Sequence, residues 1–316
     1  VMQSRDPLSL IVHAAQLYHE QGLTQPEIAE TLGVSQSRVS RWLKDAVERG
    51  IVRTVVFPPQ GVFPEIEGRV RDRYGLRHVV VADARGDEQA ILPALGSAAS
   101  IYLESTLASG ARVGISSYSA FVKAAVESMM PLRKRRLDKI VQVMGGVGRP
   151  DVQILATQTA DRFARLTGAD PVFLPAPGVV SQAATREALF KDDLVHVVAR
   201  EWNALTDVLV GIGSLTPSPL IESSGNAVPE ADIARLRSLG AVGDVAMRFF
   251  AADGSRIISE LDERVIGISA DQLRAVPRRI GIAGGARKLE AVRAAVSGGW
   301  IDVLITDAET GEALAR

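Results

Sequence analysis

The 316-residue chain predicts an α/β protein: an N-terminal three-helix unit of helix-turn-helix type, then a larger, mostly parallel α/β body. Three observations carry this. Residues 7–52 show only helical periodicity, broken at glycines. The stretch PPQG at 58–61 reads as a linker. Beyond it, short Val/Ile/Leu runs alternate with amphipathic helical segments, the pattern of a parallel sheet covered on both faces. The expected division is therefore 1–57 and 58–316.

In the head, Leu10, Ile11, Ala14, Ala15, Leu17 and Tyr18 lie at helical spacing after Pro7, and the helix stops at Gly22. Thr24 and Glu27 form a T-x-x-E capping box, with Pro26 in the first turn, so a second helix begins near Gln25. Ile28, Ala29 and Leu32 face inward, small Ala29 lets another helix approach, and Gly33 ends the helix. Ser35 can cap a third helix, on which Val39, Leu43 and Val47 form a stripe with Trp42 beside it. A short strand after Gly50, in IVRTVVF, would close the unit as a wing.

The polar face left over is Gln36, Ser37, Arg38, Ser40, Arg41 and Lys44, joined by Thr24, Gln25 and Ser35 at the helix starts. These types hydrogen-bond base edges and phosphates, so double-stranded DNA is the partner they fit. From Ser35 to Arg53 there are five basic residues against two acidic, although the whole chain has a formal net charge of −1. Nonspecific binding by bulk charge is thereby excluded, and any contact with nucleic acid falls to the small head.

In the body, strands are expected at His78 to Ala82, Arg112 to Ser116, Lys139 to Met144, Pro171 to Leu174, Asp207 to Ile212, Arg264 to Ile268, Arg279 to Ala283 and Ile301 to Thr306. Helices are expected at Asp87 to Leu107, Ser119 to Met130, Val152 to Leu166, Ala231 to Leu239 and Arg287 to Ser297. Asp253-Gly254 marks a hairpin turn after Phe249 and Phe250. Several strands run into glycine or small hydroxylated residues: 114–119, 144–148, 211–214 and 281–285. Such turns at the carboxyl edge of a parallel sheet suit a small polar or anionic ligand. Lys288 starts a helix, where a cation opposes the dipole, and anion or sugar binding would account for it. Asp244 can accept hydrogen bonds from a polyol.

Hydrophobic residues make up 47% of the chain, enough for a large core, and no run approaches a membrane span. No signal peptide is apparent, so a cytoplasmic protein without membrane contact is expected. Cysteine is absent, which removes disulfides and thiolate metal sites. His13, His19, His78 and His196 have no metal-ligand spacing, and neither metal nor cofactor is expected.

The ordered motifs Gly114 to Ser117, Gln142 to Gly146, Leu174 to Gly178, Val210 to Leu215, Gly240 to Asp244, Phe249 to Gly254, Val265 to Ser269, Ile282 to Lys288 and Leu304 to Asp307 resemble the SorC family of bacterial sugar-responsive transcriptional regulators. The likeness covers essentially the whole chain. It implies a body similar to sugar-phosphate isomerases that binds a sugar, polyol or sugar phosphate, and assembly as a homodimer or homotetramer. Carried over by motif, it places the effector against Gly114, Ser116, Ser117 and Ser119, against Gly145 and Gly146, and beside Asp244 and Lys288. Many members have a Trp-Gly-x-Thr loop after the first glycine. This chain has Ser117-Tyr118-Ser119-Ala120, which leaves an unphosphorylated sugar or sugar alcohol open. The expected function is operator binding controlled by that effector. The alternative is an enzyme of the isomerase or deaminase class, with Lys288 and Asp244 as acid and base, but such an enzyme has no need of residues 23–52.

Overall fold

The computed structural model describes residues 7–52, 61–146, 150–216 and 228–316. The chain divides into two compact units, Val1–Pro58 and Pro59–Arg316. Among the described residues, no helix is long and apolar enough to cross a membrane.

The first unit holds α1 (Pro7–His19), α2 (Gln25–Leu32) and α3 (Gln36–Glu48). The Glu27 carboxylate accepts both the backbone N–H and the hydroxyl of Thr24, each at 2.7 Å, which fixes the start of α2. Gly33 ends it in the left-handed region, φ 65°, so that the Val34 N–H reaches back to the Ala29 carbonyl at 2.9 Å. Ile11, Ala14, Ala15, Leu17, Ile28, Ala29, Val39, Leu43 and Ala46 make the core. Val47 is not in it and is 55% exposed. At 3.6 residues per turn, position i+8 has drifted about 80° from Val39, whereas Ala46 at i+7 stays within about 20°. The expected wing falls mainly on 53–57, outside the described residues.

The second unit opens with α4 (Pro64–Tyr74), then β1 (His78–Ala82), α5 (Glu88–Thr106), β2 (Arg112–Ile115), α6 (Ala120–Ser128), β3 (Lys139–Gln142), α7 (Pro150–Thr167) and β4 (Asp170–Val172). After α8 (Ala183–Lys191) and α9 (Asp193–Glu201) come β5 (Asp207–Gly211), β6 (Gly213–Ser214), α10 (Glu230–Ser238), β7 (Ala241–Val245) and β8 (Arg248–Ala251). The chain closes with α11 (Ala270–Ala275), β9 (Arg278–Ile282), α12 (Leu289–Ser297), β10 (Val303–Asp307) and α13 (Ala308–Ala315). Among the described residues, seven strands form one parallel sheet in the order β1-β10-β9-β5-β2-β3-β4.

Side-chain alternation fills the two faces. Val141, Val208, Val210 and Leu304 join one core, while Val113, Ile140, Leu209, Ile280, Val303 and Ile305 join the other with α5 and α6. Helices α5 and α6 cross closely because Gly96 meets Ala124, where any Cβ would lie 2.9 Å from the alanine methyl.

One expectation changes. Arg264 to Ile268 is no ladder strand; it touches the rest through isolated bridges, Val265 with Val179 and Gly267 with Met144, across the carboxyl ends of the sheet. The 241–251 region forms an antiparallel hairpin extended by β6, separate from the main sheet. The turn expected at Asp253-Gly254 is present, with the Gly254 N–H donating to the Ala251 carbonyl at 2.9 Å.

The order of the sheet places a switch point between its neighbours β2 and β5. The chain leaves β2 toward β3 and β4, and leaves β5 toward β9 and β10 on the other side. Connections diverge there, so a crevice stays open beyond the carboxyl ends. One wall is pinned by Asp307, which is fully buried. Its Oδ2 accepts the Gly285 N–H at 2.8 Å and the Thr310 hydroxyl at 2.6 Å, while Oδ1 accepts the Thr310 N–H at 2.9 Å. Asp307→Ala strands these buried donors and is expected to lower unfolding stability by about 2–4 kcal/mol, read from the urea midpoint.

Candidate functional site

The crevice at the switch point is a cleft of about 150 Å³. The ends of β2 and β5 supply Tyr118, Ser119, Ala120 and Phe121 and the run Gly211 to Thr216; the β9 turn supplies Arg287 and Lys288; the start of α5 supplies Glu88. The hairpin β7–β8 forms the facing wall with Asp244, Met247 and Phe249, and Met144 adds to the apolar side.

Asp244 pairs with Gly213 across the β6–β7 ladder, and only glycine fits there, since a Cβ would lie 2.0 Å from the carboxylate Oδ1. Its Oδ2 accepts the Met247 N–H at 2.9 Å. That bond holds a turn in which Ala246 and Met247 both take positive φ, 51° and 60°, a geometry that ordinarily demands Asn-Gly. Asp244 keeps some exposure to the cleft but is otherwise ringed by protein. Burial raises its pKa above the ordinary 3.8, opposed by the Met247 N–H and the Lys288 charge.

Lys288 is buried in the opposite wall, its ammonium 5.2 Å from the centre of the Phe121 ring and 3.8 Å from Glu88 Oε2. Burial lowers its pKa below the usual 10.5, and Glu88 and Asp244 counter this in part. Arg287 donates from Nε to Glu88 Oε1 at 2.8 Å, and from Nη1 to the Ser214 hydroxyl at 2.8 Å and the Thr216 carbonyl at 2.5 Å. Ser119 is the N-cap of α6, its hydroxyl accepting the Val122 N–H at 3.4 Å.

Of the residues expected around an effector, Ser119, Asp244 and Lys288 therefore meet in one cleft. The other five stand behind it. Gly114 lies inside β2, where a Cβ would come within 2.7 Å of Val143 and 2.8 Å of Leu205. Ser116 and Ser117 are buried under the loop, the Ser117 hydroxyl having no hydrogen-bond partner among the described residues. Gly145 and Gly146 donate their N–H groups to the Ile266 and Ala176 carbonyls at 2.9 and 2.7 Å. Glu88 and Arg287 are lining residues that sequence reasoning missed. Glu88 reads as an ordinary first-turn acid after the Asp87 cap, and nothing local links it to residues two hundred positions away. Among the described residues, no group of His, Asp and Glu is arranged to hold a metal.

On the head, Thr24, Ser35, Gln36, Ser37, Arg38, Ser40, Arg41 and Lys44 are exposed and Gln25 is half-buried. Ser35 occupies the N-cap position of α3 but caps no backbone group; its hydroxyl pairs with that of Ser37 at 3.0 Å. Lys44 lies 3.6 Å from Glu48, and such an exposed pair holds it only weakly.

Residues 62–316 match the Sugar-bind family, described as "Putative sugar-binding domain", and residues 10–54 match the Homeodomain-like domain HTH_23. Over 313 residues, 99% of both chains, the sequence is 30% identical to the deoxyribonucleoside regulator of Bacillus subtilis. It is 29% identical to the sorbitol operon regulator of Klebsiella pneumoniae across the full length of each. The crystal structure of that full-length regulator, SorC, superposes with a TM-score of 0.74 at 25% identity, covering 99% of this chain and 100% of the other. This chain belongs to the SorC family of transcriptional regulators. The SorC-type arrangement, a helix-turn-helix unit followed by a mostly parallel α/β domain, is thus the one read from the sequence.

A consequence for pH follows from Asp244. Its folded pKa lies above the unfolded value, so its contribution is fully present below about pH 3.8 and is lost as pH rises through the folded pKa. Asp244→Asn keeps an acceptor for Met247 but cannot ionise. The difference in unfolding midpoint, variant minus parent, is expected to grow with rising pH from about 4 and then level off, as measured by thermal melts in a pH series.

Proposed function

We propose that this SorC-family regulator binds a palindromic operator through α3 and that a sugar-type ligand in the cleft between β2, β5 and β9 controls that binding. The observation that carries the reading is one chain holding both an outward polar helix face, Gln36 to Lys44, and an open cleft at the switch point lined by Ser119, Asp244 and Lys288. Arg38 and Arg41 reach base edges, Gln36 a base or phosphate, and Ser35, Ser37, Ser40, Lys44, Thr24 and Gln25 the backbone. One head offers too few base contacts for strong discrimination. Two heads on a homodimer, or pairs on a homotetramer, would read half-sites about one helical turn apart or a multiple of it. The effector acts by binding one arrangement of the assembly more tightly than another.

The relatives are named as regulators, and Asp244 and Lys288 are read here as ligand-holding groups in a receptor without turnover. Gly114, Ser116, Ser117, Gly145 and Gly146 support that cleft from beneath.

Selection from random duplexes should return an inverted repeat. Arg38→Ala and Arg41→Ala are each expected to weaken binding to it by about 5- to 150-fold in gel shift, with the thermal midpoint unchanged because both side chains are exposed. Recovery of no preferred sequence would end the DNA-reading proposal. In the cleft, free sugars, alditols and their phosphates should be screened by thermal shift. A binder should raise the midpoint of the parent chain, and Asp244→Asn should weaken its affinity by about tenfold or more through loss of a charged acceptor.

A further inference from the structure

We propose that Glu88 sets the charge of the cleft so that it takes an uncharged polyhydroxylated ligand, a free sugar or alditol, and turns away phosphate esters. This rests on reading the cleft as the effector site. Among the described residues, four formally charged side chains line it, Glu88 and Asp244 against Arg287 and Lys288, and they sum to zero. Both cations answer to Glu88. Its Oε1 takes the Arg287 Nε at 2.8 Å and Nη2 at 2.5 Å, and its Oε2 faces the Lys288 ammonium at 3.8 Å.

Arginine grips a phosphate with the two-pronged edge of its guanidinium, and here that edge is already closed on a carboxylate. The remaining Nη1 donates to Ser214 and Thr216. Four backbone donors of the surrounding turns are spent as well. Gly145 and Gly146 donate into the loop at 176 and the segment at 266, Gly285 to Asp307, and the Lys288 N–H to the Gly285 carbonyl at 3.0 Å. The start of α6 still points at the cleft, but a helix terminus offers about half a charge, against the roughly −1.5 to −2 of a phosphate monoester. A phosphate would have to shed its water against a neutral wall or pull Arg287 from Glu88, and either is costly.

An uncharged polyol meets neither obstacle. Asp244 and Glu88 accept hydrogen bonds, Lys288 donates, Ser119 does both, and Met144, Met247 and Phe249 give its C–H face an apolar surface.

The test is calorimetric titration of the full chain with D-sorbitol, ribitol, D-ribose and 2-deoxy-D-ribose, each beside its terminal phosphate monoester, and with inorganic phosphate alone. For any pair that binds, the uncharged member should be favoured by about tenfold or more, and Glu88→Gln should shift that ratio toward the phosphate ester by about tenfold or more. Glutamine keeps an acceptor for Arg287, and the preference of the parent chain stands as a measurement without any variant. A phosphate ester bound more tightly than its parent polyol, or a ratio unmoved in a folded Glu88→Gln, overturns the assignment of Glu88. The effector reading survives either result as long as Asp244→Asn weakens binding. If no compound binds, or if Asp244→Asn leaves binding unmoved, the effector reading falls and the role of Glu88 with it.

Discussion

The open carboxyl edge between β2 and β5 is the constraint on which the rest of the body depends. Parallel strands need crossover connections, and where two neighbouring strands send theirs in opposite directions a crevice is left between them. The gap is bounded by backbone turns, so its shape depends on how those turns are held. Asp307 holds the β9 turn through Gly285 and Thr310, and the close approach of Gly213 to Asp244 sets the distance to the facing hairpin. The glycines of these turns serve packing more than ligand contact; Gly114 and Gly145 have no room for a side chain.

Electrostatics give that space its character. Burial pushes Asp244 up and Lys288 down in pKa, so each charged form is less favourable in the folded chain than in water. The turn at Ala246 and Met247 adds backbone strain beside them. Groups that weaken a fold are retained where a ligand can use them, and here they converge on one cleft. Glu88 moderates the cost by standing against both cations.

The head obeys a different economy. Its core is small and made mainly of alanine and aliphatic side chains from three helices, and Gln36, Ser37, Arg38, Ser40, Arg41 and Lys44 of α3 are exposed outside it. Arg38 and Arg41 are exposed and take no part in the core, while Val39, Leu43 and Ala46 hold α3 in place.

What the amino-acid order by itself determined was local: the caps and glycine stop of α2, the polar face of α3, the β1 and β5 runs, the helices between them, and the ordered motifs of the SorC family. These are legible because periodicity, capping and turn chemistry act over a few residues. Helices α4, α8 and α9 were not, since their apolar stripes are short and complete a core assembled from distant strands. Only the tertiary structure decided which motif residues share a cleft, placing Ser119, Asp244 and Lys288 together and Gly145 and Gly146 behind. It alone brought Glu88 to Arg287 across 199 positions. The physical reason is that strand order in a parallel sheet is set by crossovers spanning the whole domain, and side chains at its edge become neighbours only after those crossovers have closed.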